Sequence, residues 1–437
     1  MTHEPRARTA ITRTARRPLQ DWRVLVAVFW VTSMVEGLGI SQIFALLPTY
    51  LRQMGVPEGD RLAFVGLFSS LIFVVGLPLV PLWGVWADKY SRKAVIVRSA
   101  LVEAVVFAGV ALSREPWQLG LSMLLIGFQL GNTGVMLAAI RDVAPGRRLG
   151  TIMGVFGASS AIGMASGPAL AGVLIDGVGW SLPAVFWLSS ALSIRTALLV
   201  TFGSREIRPE VVPQGRVVSL AFGAVRGVLS DHTGLRILVI FGVSFLAIQM
   251  SRPYLPVRVE GLVGTGPGLA SSIALVMGTA ALVGGLIGPF GGALGDRIGF
   301  RRVLTTALAG GGGVLLLMPW VPTVGALAIL AVGLSAATAT VSAMVFGLLA
   351  TEIAPERRSA ALNLVYLPLY AAGIVGPAIG ALVVSGIGLP GPFLLGGVVF
   401  LTGAAVITLR RSQGAGRPGS PSRPTATSAG SGTSAVG

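Results

Sequence analysis

The sequence predicts an all-α polytopic membrane protein with twelve transmembrane helices, arranged as two pseudo-symmetric bundles of six. Three observations predict this fold class. The 437 residues are 53% hydrophobic and only 11% charged, whereas soluble proteins carry roughly 25% charged residues. The apolar residues form successive runs of about 20, which is the length that crosses a bilayer. Short sequence landmarks recur 208 to 210 residues further along, close to half the chain.

Apolar and polar stretches divide the chain into five segments. Residues 1–22 predict a polar cytoplasmic N-terminal arm, and because no small-residue cleavage site follows the first apolar run, we expect no signal peptide. Residues 23–202 predict the first six-helix bundle, 203–235 a polar cytoplasmic linker, and 236–409 the second bundle. Residues 410–437 are rich in Gly, Ser and Pro and predict a disordered cytoplasmic tail. The apolar runs predict helices at 23–50, 62–85, 94–113, 118–140, 149–174, 183–202, 236–257, 266–290, 303–319, 324–350, 359–384 and 391–409.

The net charge of +16 reflects membrane topology. If the loops alternate between two sides, 26 of the 33 Lys and Arg residues fall on the side that holds both termini. Five arginines fall on the other side, among them Arg252, and Arg98 and Arg195 lie within apolar runs. Such an excess of basic residues marks the cytoplasmic side. We therefore expect both termini in the cytoplasm and no nucleic-acid partner.

The composition argues against an enzyme. The chain has no cysteine, and its only histidines, His3 and His232, fall in polar segments, so we expect neither a metal site nor a cofactor. The phosphate-binding pattern Gly-x-x-x-x-Gly-Lys-Ser/Thr is absent, which excludes that ATP site. A polytopic enzyme or sensor would need a nucleophile or a carboxylate pair, and the two acids within apolar runs, Glu36 and Glu103, are far apart in sequence.

One charged segment occurs in both halves. Gly84 to Lys93 reads Gly-Val-Trp-Ala-Asp-Lys-Tyr-Ser-Arg-Lys, and a related segment runs from Gly292 to Arg302. Three further pairs share nearly the same offset and order, which indicates parallel repeats of six helices. These pairs are Leu47-Pro48 with Leu255-Pro256, Ala144-Pro145 with Ala354-Pro355, and Gly167-Pro168 with Gly376-Pro377.

The repeated bundles and the charged loop resemble the major facilitator superfamily. Helix 5 reads Gly-Met-Ala-Ser-Gly-Pro-Ala-Leu-Ala-Gly from Gly163 to Gly172, similar to the antiporter motif of that family's drug:proton antiporters, with Ala171 in place of one Gly. A departure lies in helix 4, where Gly127 stands at a position that often carries Arg. The resemblance implies a secondary active transporter, with proton-coupled efflux of drugs or lipophilic small molecules by alternating access. The alternative is a proton-coupled carrier of one small solute, such as a sugar, amino acid or metabolite.

The same resemblance implies roles for the charged loops and the small residues of helix 5. A cytoplasmic latch between the halves would favour the outward-open state, and its alternative is interfacial charge that only fixes topology. Close helix packing by the antiporter motif would let the halves rock. The latch residues are Gly84, Asp88, Lys89, Arg92, Lys93, Arg141 and Asp142, with Gly292, Asp296, Arg297, Arg301 and Glu352 in the second half. The antiporter motif residues are Gly163, Gly167, Pro168 and Gly172.

Glu36 is the sharpest candidate for chemistry. It lies near the middle of helix 1, where a carboxylate costs roughly 2.5 kcal/mol or more to insert, so an intramembrane acid predicts function. The resemblance implies that helix 1 lines a central cavity, and there we expect Glu36 to exchange protons. The alternative is a neutral carboxyl group that is hydrogen-bonded within the bundle for structure alone. For Glu103, in helix 3, we expect a structural role. Polar, aromatic and methionine side chains predict the substrate cavity: Gln42, Phe44, Gln129, Asn132, Gln249, Met250, Asn363 and Tyr366.

The remaining expectations concern partners and location. The partners are a small-molecule substrate, protons and the lipid bilayer, and we expect a monomer. The basic residues are 31 Arg and 2 Lys, and together with abundant Gly, Ala and Val they indicate a high-GC bacterium. We therefore predict a multi-pass protein of a bacterial plasma membrane.

Overall fold

The computed structural model describes residues 21–209, 212–229, 232–352 and 366–415. Within these ranges the regular structure is helical throughout, and twelve helical segments are long and apolar enough to cross a membrane. The predicted fold class is confirmed. We call these segments spans 1 to 12: Trp22–Gln53, Glu58–Lys89, Arg92–Leu112, Pro116–Val143, Gly146–Gly177, Leu182–Gly203, Gly234–Val263, Leu269–Gly288, Phe300–Trp320, Val324–Leu349, Leu367–Ile387 and Pro390–Leu409.

Several spans contain more than one helix or continue beyond the apolar core. Spans 2, 4 and 7 are interrupted, span 8 belongs to a helix that ends at Ile298, and span 12 to one that ends at Ala415. The α-helices are Trp22–Gln53, Glu58–Val74, Gly76–Lys89, Arg92–Leu112, Pro116–Leu125, Asn132–Val143, Leu149–Gly172, Leu182–Gly203, Val217–Leu229, His232–Ser251, Leu255–Val263, Leu269–Ile298, Phe300–Leu317, Val324–Glu352, Tyr366–Ile387 and Pro390–Ala415.

The segment predicted as a polar linker contains a helix of its own. Val217–Leu229 lies between spans 6 and 7 and is amphipathic, so one face can pack while the other stays polar. It packs against the second helix of span 2, where Phe222 and Val225 share an apolar groove with Leu77 and Pro81. Thus the connection between the two six-span halves contains packed helical structure.

Two of the interruptions have a visible cause in the sequence. In span 4, Gly131 adopts φ 99°, a left-handed conformation that costs glycine little, and the chain restarts as a helix at Asn132. In span 7, Pro253 lies in a short 3-10 turn, Arg252–Tyr254, between two α-helices. Proline has no backbone N–H and its ring crowds the preceding turn, so it breaks helical hydrogen bonding.

The two halves pack by equivalent contacts. Span 5 lies along span 1, and span 11 lies along span 7. A Cβ atom at Gly167 would stand 2.3 Å from the Leu38 carbonyl oxygen, and one at Gly376 would stand 2.9 Å from the Leu246 carbonyl oxygen. Gly167 and Gly376 are 209 residues apart, and Leu38 and Leu246 are 208 residues apart, so both match the offset of the sequence repeat. The sequence repeat is therefore also a repeat of helix packing.

The halves touch each other along spans 5 and 8 and along spans 2 and 11. We call the end of the bundle that holds residues 88–93 the motif end, and the other the distal end. Midway along both helices, Gly285 packs on Ala161, and at the distal end Asp176 Oδ2 accepts a hydrogen bond of 2.7 Å from the Ser271 backbone N–H. Toward the motif end, Gly154 and Gly292 have open space around them. Spans 5 and 8 therefore meet at the distal end and diverge at the motif end.

Candidate substrate cavity and buried polar cluster

A central cavity of about 630 Å³ lies between the halves. Spans 1, 5, 7, 8, 9 and 10 all contribute to its wall, which is mainly apolar with several hydroxyl groups. Its volume is within the usual range for small-molecule sites, roughly 300–1,000 Å³. Arg252 is the one charged residue among the described residues that line it. Its polar lining consists of Ser41, Ser160, Gln249, Arg252, Ser335, Thr338 and Ser342.

The charge pattern counted Arg252 with the side opposite the termini, and the predicted helix 236–257 already included it. It lies inside span 7, at the 3-10 turn, and its guanidinium carbon is 4.7 Å from the centroid of the Phe44 ring in span 1. The ring face attracts the cation. Phe44 and Arg252 are 208 residues apart and therefore occupy equivalent positions of the sequence repeat.

The predicted cavity residues divide into two groups. Gln249 lines the cavity. Gln42 is buried inside the first half, where its Oε1 accepts a hydrogen bond of 2.5 Å from Ser189 Oγ in span 6. Phe44 and Met250 are buried beside the cavity, and neither belongs to its wall. Gln129 and Asn132 belong to the cluster described next. Asn363 and the side chain of Tyr366 lie outside the part of the chain that the structure describes.

Glu36 belongs to a buried polar cluster within the first half. Its Oε2 accepts a hydrogen bond of 3.0 Å from Asn132 Nδ2, and the carboxyl group also interacts electrostatically with Arg98. The break in span 4 builds this contact, since Asn132 is the first residue of the restarted helix. Broken helices at membrane depth occur where the exposed backbone is buried in protein and rebonded. Here Ser99 Oγ donates a hydrogen bond of 2.9 Å to the Gln129 carbonyl oxygen.

Arg98 connects this cluster to span 2. Its guanidinium stacks on Trp83, 3.7 Å from the ring centroid, and its Nη2 donates a hydrogen bond of 2.8 Å to Ser99 Oγ. Stacking and hydrogen bonding leave other guanidinium nitrogens without partners among the described residues. Arg98 is therefore a membrane-embedded cation that interacts electrostatically with the Glu36 carboxyl group.

Glu103 belongs to the same cluster, although its position in the sequence gave no sign of this. Its side chain is 3% exposed and interacts electrostatically with Glu36. The Gln129 side chain interacts with both carboxyl groups, and Ser193 also interacts with Glu103. Among the described residues, Asn132 Oδ1 is buried without a hydrogen-bond partner, whereas buried polar groups are usually satisfied. Two carboxyl groups and one guanidinium thus share a buried environment beside span 1.

The first charged loop forms an ion-pair cluster inside the first half. Arg92 is 2% exposed and pairs with Asp88 at 2.8 Å and with Asp142 at 2.7 Å. Glu206, which the sequence did not indicate, accepts a hydrogen bond of 2.8 Å from the Arg92 backbone N–H and another from Ser91 Oγ. In this conformation, the cluster joins spans 2, 3 and 4 to the end of span 6 and does not bridge the halves.

Other residues of the predicted latch have varied surroundings. Lys93 Nζ donates hydrogen bonds to the carbonyl oxygens of Thr201 and Ser204. Lys89 Nζ reaches the Gly215 carbonyl oxygen at 2.5 Å, and Arg141 pairs with the neighbouring Asp142 at 3.1 Å. Gly84 has open space around it. In the second half, Gly292 is partly buried and Asp296, Arg297 and Arg301 are exposed. The side chain of Glu352 lies outside the described part of the chain.

The antiporter motif lies where span 5 approaches other helices most closely. A Cβ atom at Gly163 would stand 2.2 Å from the Met34 carbonyl oxygen of span 1. At Gly172 it would stand 3.0 Å from Ser271 Cα in span 8, across the boundary between halves. Pro168 is buried within the helix. These small residues let span 5 contact both halves.

Three charged residues join the halves at the distal end. Glu260, in span 7, pairs with Arg52 at the end of span 1 and with Arg61 at the start of span 2, each at 2.9 Å. This group could not be predicted from the sequence, because arginines that are far from an acid in sequence carry no pairing signal. The pairs close the distal end over the cavity.

Comparison with known proteins identifies the family. The family model described as Major Facilitator Superfamily matches residues 29–284 and 238–434. The multidrug resistance protein MdtG of Klebsiella pneumoniae is 29% identical over 414 residues, 92% of this chain and 97% of the relative. MdtG of Citrobacter koseri is 31% identical over 307 residues, 68% of this chain and 72% of the relative.

Solved structures share the same architecture. The nucleoside transporter NupG superposes with a TM-score of 0.74 at 16% identity, over 88% of this chain and 99% of that one. A bacterial homologue of the human lysosomal transporter Spinster, in an inward-facing and unoccupied conformation, gives a TM-score of 0.68 at 16% identity, over 90% and 98%. The family and the twelve spans place this protein in a bacterial inner membrane. The chain belongs to the Major Facilitator Superfamily and is a secondary transporter.

Proposed function

We propose that this protein exports drugs or other lipophilic small molecules in exchange for protons. The relatives at about 30% identity are named multidrug resistance proteins, which supports export of drugs. The observation that carries proton coupling is Glu36, an intramembrane acid in a buried polar cluster, on the same span as the cavity residue Ser41. A buried carboxyl group is costly to keep charged, so it favours binding a proton unless a cation compensates it.

The cluster around Glu36 supplies two alternative states. When the carboxyl group is ionised, Arg98 compensates the charge and Asn132 donates a hydrogen bond. When the Glu36 carboxyl group is protonated, it no longer compensates the positive charge of Arg98, and the net charge of the cluster rises by one. Glu36 and Ser41 are five residues apart on one rigid helix, so a shift of span 1 would change both the proton site and the cavity wall. This is the coupling that an exchanger requires.

Alternating access follows from the two ends of the bundle. The excess of basic residues supports a cytoplasmic motif end, so the present conformation, with its distal end joined by Glu260, would face the cytoplasm. In the outward-facing state we propose that the halves close at the motif end, where the Asp88–Arg92–Asp142 cluster would act as the predicted latch. The cavity and the polar cluster are built by one chain, which supports a monomer as the transport unit.

The test uses inverted membrane vesicles with an imposed gradient, acid inside, and a panel of cationic, neutral and carboxylate-bearing dyes. The wild-type protein is expected to accumulate several unrelated dyes until an uncoupler is added. Glu36→Gln keeps an oxygen that can accept from Asn132 but has no titratable proton, so it should abolish gradient-driven accumulation and retain part of the dye exchange. Asp60→Asn, an acid-to-amide change at an exposed position, is the matched control and should behave as wild type.

Two outcomes would contradict the proposal. Gradient-driven accumulation in Glu36→Gln at the wild-type rate would remove Glu36 from the proton pathway. Transport of one metabolite, with no dye moved by the wild-type protein, would favour a carrier of a single solute.

A further inference from the structure

We propose that the central cavity binds substrates that carry an anionic group, such as a carboxylate, on an apolar body, with Arg252 as the anion-binding residue. This inference rests on the proposed function, because it names the substrate class of the same cavity. It differs from what the intramembrane acid alone suggests, which is a preference for cationic substrates.

The positive charge of Arg252 has no compensating acid in the cavity. Arg252 is the one charged residue among the described residues of the cavity wall. No described carboxylate lies within ion-pair distance of it, and its recorded partner is the Phe44 ring. A cation held inside a membrane protein is costly unless an anion or strong acceptors compensate it. The anion that compensates Arg252 would therefore come from the molecule that enters the cavity.

The Arg252 guanidinium is placed by its contact with Phe44. The Phe44 ring lies below it at 4.7 Å, and that ring is 3% exposed, so packing holds it in place. No hydrogen bond to the guanidinium is present among the described residues, so its N–H groups are available to a ligand. Those groups form a planar fork that matches a carboxylate with two parallel hydrogen bonds. Phe44 therefore orients Arg252 for an anion.

Arg252 lies close to the axis that relates the two halves. Phe44 and Arg252 occupy equivalent positions in the two repeats, as do the cavity residues Ser41 and Gln249. Two equivalent positions can touch each other only close to the pseudo-two-fold axis that relates the halves. Arg252 therefore lies at the centre of the transporter, where both halves can contact one substrate as they move.

The rest of the cavity suits an apolar body. Phe245, Met164, Met277 and Met318 contribute flexible or aromatic surface, and methionine adapts to ligands of different shape. Hydroxyl groups such as those of Ser160 and Thr338 offer further polar contacts. An amphiphilic molecule fits this lining better than a sugar, which would need polar partners on all sides.

The anion site is separate from the proton site. Glu36 interacts with Arg98 and Asn132 in the first half, and no interaction with Arg252 contributes to its electrostatics. An anionic substrate on Arg252 would therefore not displace the proton on Glu36 by direct contact. Exchange would depend on the conformational coupling through span 1.

The test compares two dyes that differ at one group. Rhodamine 110 has a free carboxylate, and rhodamine 123 is its methyl ester. Binding to the purified full-length protein is measured by fluorescence anisotropy. The wild-type protein should bind rhodamine 110 about tenfold more tightly than rhodamine 123. Arg252→Gln should lose that preference by weakening rhodamine 110, with rhodamine 123 changed less than about twofold, and Arg252→Lys should keep part of it.

Arg258→Gln is the matched control. Arg258 is on the same span, but its Nη2 donates to the Val321 carbonyl oxygen at 2.7 Å and it does not line the cavity. It should retain the wild-type preference. If Arg252→Gln does not fold, as judged by size-exclusion chromatography, two measurements still test the anion site. They are the ratio of the wild-type affinities for the two dyes and the same ratio in Arg252→Lys.

The outcomes separate this inference from the proposed function. Equal binding of the two dyes to wild type, or an unchanged preference in Arg252→Gln, overturns the anion site even if proton-driven transport of rhodamine 123 is observed. Failure of wild-type vesicles to move any dye overturns the proposed function, and with it this inference.

Discussion

Arg61, at the start of span 2, and Glu260, near the end of span 7, form an ion pair of 2.9 Å that joins the two halves of the transporter. Both side chains are buried, with exposed fractions of 5% and 7%. Arg52 adds a second cation at the same carboxylate oxygen. This group and the contact of Asp176 with Ser271 close one end of the cavity, and both would have to break before that end could open.

Loss of the Glu260 charge should open the distal end. In Glu260→Gln, two arginines would be left without their acid, and breaking a buried pair costs roughly 3–5 kcal/mol. We expect about a tenfold or greater increase in the labelling of Ser41→Cys by an impermeant maleimide applied from the distal side. The chain has no cysteine, so one introduced thiol reports the cavity alone.

Glu58→Gln provides the control for the distal gate. Glu58 also approaches Arg61, at 3.7 Å, but its side chain is 89% exposed, and exposed pairs contribute at most about 1 kcal/mol. Labelling of Ser41→Cys in this background should match that of the parent. Equal labelling in the Glu260→Gln and Glu58→Gln backgrounds would argue against a gate.

Removal of Arg98 should uncouple transport from protons. Arg98→Gln leaves Glu36 without its cation, so the ionised state of the cluster becomes costly. We expect gradient-driven dye accumulation to fall by about tenfold, while dye binding is retained. Arg98→Lys keeps the charge but loses the planar stack on Trp83 and should be intermediate. Arg195→Gln, at an exposed position of span 6, should have no effect; retained coupling in Arg98→Gln would contradict this assignment.

A methyl group at Gly167 should separate spans 1 and 5. Its Cβ would stand 2.1 Å from Ser41 Oγ and 2.3 Å from the Leu38 carbonyl oxygen, so the backbones must move apart. Overpacking of this kind costs roughly 1–3 kcal/mol, and we expect Gly167→Ala to lower the melting temperature and the transport rate. Gly157→Ala, on the same span with open space around it, should keep both. Equal melting temperatures for the two variants would show that span 5 relaxes freely.

The first charged loop should matter more for stability than its repeat. Asp88→Asn weakens the compensation of Arg92, which is 2% exposed, whereas Asp296 in the second half is exposed. We expect Asp88→Asn to lower the free energy of unfolding by at most about 1 kcal/mol, because the Asp88 side chain is 39% exposed and Asp142 still pairs with Arg92. It should also slow turnover while substrate binding persists. Asp296→Asn should change stability by less than about 0.5 kcal/mol. Equal effects on stability in both variants would mean that the two copies are equivalent.

Much of the fold could be predicted from the sequence, because a bilayer imposes simple rules on composition. Every span must be about 20 residues long and apolar, and polar loops must separate them. The repeat of Gly167-Pro168 as Gly376-Pro377 indicated two equivalent halves, and both glycines lie at equivalent helix contacts. Glu36 could be selected as well, since an acid within an apolar run is rare.

The partners of these residues could not be predicted in the same way. Glu36 meets Asn132 because Gly131 breaks span 4, and Glu103 joins them from span 3. Arg252 was counted with the side opposite the termini, although the predicted helix 236–257 includes it. In the structure the chain continues as a helix to Val263 and keeps Arg252 within the membrane.

The sequence by itself determined the number of spans in the described chain, the division into two halves and the positions of two intramembrane acids, Glu36 and Glu103. Those features depend on local hydrophobicity and on repetition, which are properties of neighbouring residues. Only the tertiary structure decided which charges meet: Glu260 with Arg61 across the halves, and Arg252 with Phe44 at the pseudo-symmetry axis. Such contacts join residues about 200 positions apart, and the packing of helices within and between the halves fixes them.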